Sequence, residues 1–479
     1  MVGNLAYFSR IKYSKYMEKE KQLEKYKHLY KHSKTWDVLS LFVKLSHILF
    51  YKNIIVEGKE NVPKEGPLIF APNHQNALMD PLAVLFNINR QIVFLARSDV
   101  FKNKLVAKFL IFLKILPVFR IRDGKENLAN NDLTFDIATR VLESKQNVGI
   151  FPEARHTYKR RLLNLKKGIP RLAFMAEEKH DFNLGIRIVP VGIYYRHYNR
   201  MRSILHVRYG KPIYLKDFKE DYIESPQKAM LSLKDAMDVS LRPLMIDIRS
   251  IELYDTYESI RRLYVKNLIR KFKLGKISQI NKFKADKITI QALELYEKDY
   301  PEKMPEIKAK VEEYEALKTK YKLSDQSVEK PFLSLFRIII NTFILLISIP
   351  GFVYGLVNNA IAYFVPKVLV LKIKDKQFHS SIKFGWAIFI IPIIYAIQIG
   401  VVAIFLHKFW MILAYALSLP VFGLLARVIA EWLVILIEDY RLLQLRNLKP
   451  SDYKKIKELH KNLILELDLI VTHWNRKPE

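Results

Sequence analysis

Between about residues 52 and 215, short apolar runs alternate with amphipathic stretches. GPLIFAP (66–72), QIVFLAR (91–97), LPVFRI (116–121), NVGIFP (147–152), IRIVPVGIYY (186–195) and ILHVRYG (204–210) have the length and β-branched content of buried strands. Between them, VFKNKLVAKFLIFLK (100–114) and DLTFDIATRVLES (132–144) repeat apolar positions at helical spacing. This alternation predicts an α/β domain over 52–215, a mostly parallel sheet flanked by helices.

The flanks have other patterns. Residues 1–35 are polar and basic, and WDVLSLFVKLSHILFY (36–51) reads as an amphipathic helix lying in a membrane interface, so 1–51 forms a basic arm and an interfacial helix. From 216 to 330 charged helical patterns take over, clearest in SPQKAMLSLKDAMDVSL and PEIKAKVEEYEALKTKY. After Pro331 the chain becomes nearly uncharged over 332–366, and again over 385–407 and 409–426. At ~1.5 Å per residue, the run 385–407 is long enough for ~30 Å of hydrocarbon.

Charge orients these segments. Five lysines (367, 372, 374, 376, 383) against Asp375 make 367–384 basic, and the tail 441–479 has nine Lys or Arg against five acids. Positive loops stay on the cytoplasmic side, so 331–366 and 385–426 are expected as two returning hairpins within a membrane region of 331–440. The first hairpin, broken by Pro350, Asn358 and Asn359, is short enough to be re-entrant. Arg427 and Glu431, one helical turn apart, are expected to pair at the membrane boundary.

Composition narrows the function. Lys and Arg number 79 against 48 acids, a net charge of +31. That excess points to anionic lipid or nucleic acid. The charge is spread over arm, loops and tail while the apolar residues gather in membrane-length runs, which favours lipid and argues against nucleic acid. No cysteine occurs, excluding disulfides, thiolate metal sites and thiol nucleophiles. The first 30 residues lack a signal-peptide core, so the N-terminal half is expected to stay in the cytoplasm.

The chemistry-bearing positions cluster in the α/β part. His74 follows the apolar run PLIFAP and Asp80 precedes Pro81. An imidazole is the natural base near neutral pH, and a carboxylate on its other nitrogen fixes the tautomer. Six positions apart the two do not share a helix face, so His74 must lie in the loop after the strand and fold back. Asp80 before Pro81 also suits the start of a helix, which is the competing reading of that residue. A second cluster, GIFPEARHTYKRRLLNLKKG (149–168), follows a strand and is rich in cations suited to phosphate, among them Arg155, His156, Lys159 and Arg160. In LPVFRIRDG, Arg120 and Arg122 point the same way from a strand end. IVPVGIYY offers an apolar wall.

In order, PNHQNALMDP, LPVFRIRDG, IFPEARH and IVPVGI resemble the four sequence blocks of the glycerolipid acyltransferase superfamily, which acylates glycerol-3-phosphate and lysophosphatidate. The resemblance covers about 50–215, and the helical insert and membrane region are similar to the larger fungal-type and bacterial members. It implies direct acyl transfer in phospholipid biosynthesis. His74 would be the base and Asp80 its partner. Arg120, Arg122 and the 155–167 loop would bind the acceptor phosphate, with Glu153 ordering that site. The donor would be acyl-CoA or acyl carrier protein, with no cofactor and no metal. Partners would be anionic membrane lipid, the donor, and glycerol-3-phosphate or a lysophospholipid, with the catalytic domain on the cytoplasmic face of an integral membrane protein. Two departures stand out. Five residues separate His74 from Asp80 where the family has four, and the family's FPEGTRS is FPEARHT, with Ala154 for glycine. Which of Arg155, Lys159 and Arg160 replaces the family arginine stays open. The alternative is an inactive lipid-binding or scaffold protein of the same fold, supported by that altered block. No G-x-S-x-G elbow or H-E-x-x-H motif points to a serine hydrolase or a metalloenzyme.

Overall fold

The computed structural model describes residues 23–24, 26–31, 33–88, 90–119, 130–330 and 335–475. The chain divides into two compact units, one of residues 1–245 with 373–384, the other of 246–372 with 385–479.

The first unit is built on an eight-stranded sheet: β1 Asn53–Glu57, β2 Leu68–Pro72, β3 Ile92–Arg97, β4 Ile115–Val118, β5 Asn147–Gly149, β6 Arg187–Tyr195, β7 Ile204–Tyr209 and β8 Ile213–Tyr214. Their order is β1-β7-β6-β2-β5-β3-β4, with β8 beside β6. From β6 to β4 all pairings are parallel, whereas β7 and β8 run antiparallel to β6. Its main helices are α1 Lys34–Phe50, α2 Met79–Leu85, α3 Lys104–Phe112, α4 Asn130–Glu143, α5 Gly168–Glu178 and α6 Pro226–Leu241. Every residue of β2 is buried, as expected of a central parallel strand covered on both faces. Ile69 and Ala71 join Leu172 and Phe174 of α5 and Leu233, Met237 and Leu241 of α6 in one core. At Gly149 a Cβ would lie 2.4 Å from the Phe94 ring, so only glycine lets β5 pass β3 there.

The six sequence-expected strands are all present; β1 and the two-residue β8 are additions. NVGIFP leaves the sheet after Gly149, which frees Phe151 and Glu153 for the loop beyond. On α1, Val38, Leu41, Phe42, Leu45, Ile48 and Leu49 are exposed while Trp36, His47 and Phe50 are buried. Leu105, Val106, Phe109 and Phe112 of α3 are likewise exposed.

The second unit is helical: α7 Tyr254–Lys271, α8 Gln279–Asp299, α9 Met304–Tyr321, α10 Leu335–Asn358, α11 Ala360–Leu371, α12 Ile391–Phe405, α13 Phe409–Leu448 and α14 Pro450–Asn475. The polar helices are tied by ion pairs such as Arg261 Nη1 to Asp286 Oδ2 at 2.6 Å. Three helices, Leu335–Asn358, Lys376–Phe405 and Phe409–Leu448, are long and apolar enough to cross a membrane. Only 6%, 6% and 17% of their most apolar stretches are buried, so their side chains face outwards, as in a lipid solvent and unlike a soluble core. α11 has 12 residues, about 18 Å of helix, and falls short of an upright crossing. Arg427 Nη2 lies 3.3 Å from Glu431 Oε1, the pairing expected from their spacing.

Candidate active site

The parallel pairings set the carboxyl ends of β2, β3, β5 and β6 along one edge of the sheet, where such folds take ligands. Just past β2, Asn73 pins the chain to β6: its Nδ2 donates to the Ile193 carbonyl (3.2 Å) and its Oδ1 accepts from the Ile193 N–H (2.6 Å). His74 is then fixed through its backbone. Its N–H donates to Glu153 Oε1 at 2.8 Å and its carbonyl accepts from the Thr157 N–H at 3.1 Å. The ring stacks on Phe151, centroids 3.9 Å apart.

The loop then reverses. Ala77 has φ +42°, a left-handed conformation that accommodates the fifth residue between His74 and Asp80. Asp80 enters the first turn of α2 with no exposed surface. Its Oδ2 lies 2.8 Å from His74 Nδ1 and accepts from the N–H groups of Gln75 and Asn76, each at 2.7 Å. Its Oδ1 accepts from the Tyr195 hydroxyl at 2.7 Å. Those N–H groups precede the helix, so Asp80 organises the histidine loop and does not cap α2. Burial, reinforced by Asp80, pushes the Tyr195 phenol well above its usual range, leaving it a hydrogen-bond donor. The His74 side chain is 15% exposed, and its Nε2 has no hydrogen-bond partner among the described residues.

Glu153 is buried and joins two loops, taking the His74 N–H on one oxygen and the Leu163 N–H (2.9 Å) on the other. Ala154 beside it has φ +55°, so the backbone keeps the left-handed turn natural to glycine. Of the candidate phosphate ligands, Arg155 and Lys159 are exposed. Arg160 is buried: its Nη2 donates to the Tyr195 carbonyl at 2.8 Å, and its guanidinium lies over the Tyr194 and Tyr198 rings at 4.6 and 4.9 Å. It therefore fastens the basic loop to the end of β6, and its charge is not turned outwards. Arg120 and Arg122 lie outside the described residues.

Sequence reasoning passed over Tyr195, Phe151 and Arg97. Tyr195 closes a strand read as an apolar wall, and the signal for it was a polar-tipped residue at a strand's carboxyl end, the same edge as His74. Arg97 ends β3 and pairs with Asp99 through Nε at 3.1 Å. His156, one cation among several in its loop, stands edge-on to His74 with centroids 5.0 Å apart. Burial first, then the neighbouring His74 and Arg97, lowers its pKa to about 4, so it is neutral at physiological pH. Among the described residues no group of three or more His, Asp or Glu is placed to hold a metal ion.

Residues 53–194 match the Acyltransferase family. Glycerol-3-phosphate O-acyltransferase 1 of Saccharomyces cerevisiae is 28% identical over 186 residues, 38% of this chain and 24% of that protein. Glycerol-3-phosphate O-acyltransferase 2 of the same yeast is 30% identical over 199 residues, 40% and 26% of the two chains. The 1-acyl-sn-glycerol-3-phosphate acyltransferase of Borreliella burgdorferi is 29% identical over 152 residues, 32% and 55%. The matched segment thus spans about a quarter of either yeast protein and just over half of the bacterial one. The family match and all three relatives fall on the same part of the chain, so residues 53–194 are similar to the Acyltransferase family and, within it, to acyltransferases of glycerol-3-phosphate and 1-acyl-sn-glycerol-3-phosphate.

Proposed function

We propose that the protein transfers a fatty acyl group from a thioester, acyl-CoA or acyl carrier protein, to a hydroxyl of glycerol-3-phosphate or lysophosphatidate. The observation that carries this reading is the His74–Asp80 pair. With Nδ1–H directed at Asp80, the lone pair of the imidazole lies on Nε2, the nitrogen without a hydrogen-bond partner among the described residues. Nε2 takes the proton of the acceptor hydroxyl as that oxygen attacks the thioester carbonyl. The tetrahedral intermediate collapses, the C–S bond breaks, and the imidazolium returns its proton to the departing thiolate. Asp80 stabilises the imidazolium meanwhile. No covalent acyl-enzyme is required, and no cofactor beyond the donor.

The acceptor phosphate would be held by exposed Arg155 and Lys159 together with Arg120 and Arg122, while Arg160 and Glu153 keep their loop in place. The exposed apolar faces of α1 and α3 suit contact with a lipid surface. Positive charge on 367–384 and on the tail favours the cytoplasmic side for the catalytic unit.

The test is acyl transfer by the purified, detergent-solubilised protein with labelled glycerol-3-phosphate or lysophosphatidate and each donor in turn, against His74→Ala. Product from one acceptor, absent in the folded variant, is the expected result. Turnover by folded His74→Ala equal to wild type would remove His74 from the mechanism. No product from any pairing would overturn the acceptor class.

A further inference from the structure

The segment DKQFHSSIKF, Asp375 to Phe384, reads in sequence as a basic loop between two apolar stretches. A solvated loop of that composition has no reason to bury side chains. Here Ser380 and Phe384 are 1% and 3% exposed, and the segment belongs to the same compact unit as the sheet.

Its anchors are evenly distributed. The Phe378 ring stands edge-on to His156 with centroids 5.0 Å apart. The Ser380 hydroxyl donates to the Tyr198 carbonyl. Ser381 Oγ accepts from the Leu78 N–H at 3.2 Å, and Lys383 Nζ donates to the Asn199 carbonyl at 2.7 Å. Phe384 closes the row against Phe50, centroids 5.4 Å apart. Ser380 and Phe384 are four residues apart on the short helix His379–Gly385, hence on one face.

What these anchors touch gives the segment its meaning. Leu78 immediately precedes α2, whose first turn carries Asp80, and its N–H is one of the donors a helix start leaves unpaired. Tyr198 donates from its hydroxyl to Gln75 Oε1 at 2.6 Å, beside His74. His156 stands edge-on to the His74 ring on one hand and to Phe378 on the other. The segment therefore grips the 74–80 loop at its helical end and through Tyr198, and reaches the histidine ring through His156. Because His156 is neutral, it serves as a wall for the imidazole without competing with the positive charge that forms there.

We propose that Asp375–Phe384 is a working part of the active site, in which Phe378 positions His156 and thereby holds the His74 ring in its reactive orientation. This rests on the acyl-transfer reading above. The site is then incomplete within 53–194, and the start of the long helical stretch Lys376–Phe405 supplies its missing wall. Phe378 is a positioning residue, since it reaches the reacting atoms only through His156.

Two measurements on the full-length protein in detergent test this. Phe378→Ala should lower kcat about tenfold with KM for donor and acceptor within about twofold, because a misplaced base affects the chemical step before binding. Phe378→Tyr, which keeps the ring, should restore most of the activity. Unchanged kcat in Phe378→Ala, a rise confined to KM, or failure of Phe378→Tyr to restore activity would each overturn the proposal. Independently, the cysteine-free chain allows an unambiguous cross-link between Leu78→Cys and Ser381→Cys. Because both positions belong to the site itself, the readout is the cross-link yield and not turnover: a disulfide that forms readily supports docking. No disulfide, with either single variant folded, overturns it. Should the wild type transfer no acyl group, the functional reading fails and the positioning role with it. The disulfide yield would then show that the chemistry was misread and the docking was not.

Discussion

Two buried polar networks lie in this chain, and they are built differently. In the α/β unit, Asp80 accepts from His74, Gln75, Asn76 and Tyr195, yet the network ends on a ring nitrogen of the part-exposed His74 that is unpartnered among the described residues. In the helical unit, Asn359 is bonded at both ends of its amide. Oδ1 accepts from the Tyr395 hydroxyl at 2.6 Å, and Nδ2 donates to the Gly355 and Leu419 carbonyls at 2.9 and 3.2 Å. Gly355 and Gly423 let α10 and α13 approach there: a Cβ at Gly355 would meet the Phe422 carbonyl at 2.1 Å. A closed amide between close-packed apolar helices acts as glue, whereas a network left open at one titratable atom can act on a substrate. Burial and hydrogen bonding alone do not mark an active site.

The comparison is broken most severely at His74. On the proposed mechanism, His74→Ala should lower kcat about 10³-fold or more while leaving the unfolding midpoint near that of wild type, since removing the proposed base takes away chemistry and little packing. Tyr195→Phe is the next step down. It leaves Asp80 Oδ1 without its donor, and kcat should fall about tenfold, the equivalent of one charge-assisted hydrogen bond. In the other network the roles reverse. Asn359→Ala should cost about 1–2 kcal/mol of stability, measured by thermal unfolding in detergent, with kcat unchanged. If Asn359→Ala reduced kcat while stability held, the division between the two networks would be wrong.

Titration sharpens the same contrast in the α/β unit. His47 has no exposed surface, neither ring nitrogen has a hydrogen-bond partner among the described residues, and burial lowers its pKa to about 3. His156 is lowered to about 4. The unfolded chain binds protons at these sites near pH 6.5. The fold is therefore favoured above that pH and loses stability as pH falls towards 4, where the unfolded state holds more protons. Unfolding midpoints recorded from pH 7 to 4 should decline over that window. His47→Phe should both raise the midpoint and flatten the decline, because it removes an unpaired buried polar group.

What the sequence made visible divides by the range of the interactions. β2 and β6 are continuous apolar runs buried on both faces, so composition alone identified them. β1 was hidden because it is a half-exposed edge with a polar start, Asn53, and a charged end, Glu57. The meeting of His74 and Asp80 was legible since both lie in one loop, and geometry forced the histidine to fold back. Arg160 was not: whether a cation in a basic loop faces outwards or lies over Tyr194 and Tyr198 depends on residues more than thirty positions away. Least legible was Asp375–Phe384, where a polar, lysine-bearing string carries no local mark of the surface it covers.

The smallest expected effect tests whether the FPEARH stretch departs from the family pattern in conformation or only in residue type. Ala154 occupies φ +55° and is exposed, so its methyl group contributes little packing. A non-glycine residue there bears about 1–2 kcal/mol of steric cost, and glycine gives back about 0.4–1 kcal/mol through the freedom of the unfolded chain. Ala154→Gly should therefore stabilise the protein by about 0.5–1 kcal/mol. Glu153 clamps the loop on both sides, to the His74 and Leu163 N–H groups, so kcat should stay within about twofold of wild type. That outcome would mean the turn is kept and only its side chain differs, with His74 indifferent to the change. A clear loss of kcat with stability gained would mean instead that the alanine stiffens the loop beside Arg155. The open nitrogen of His74 would then depend on that stiffness as well as on Asp80.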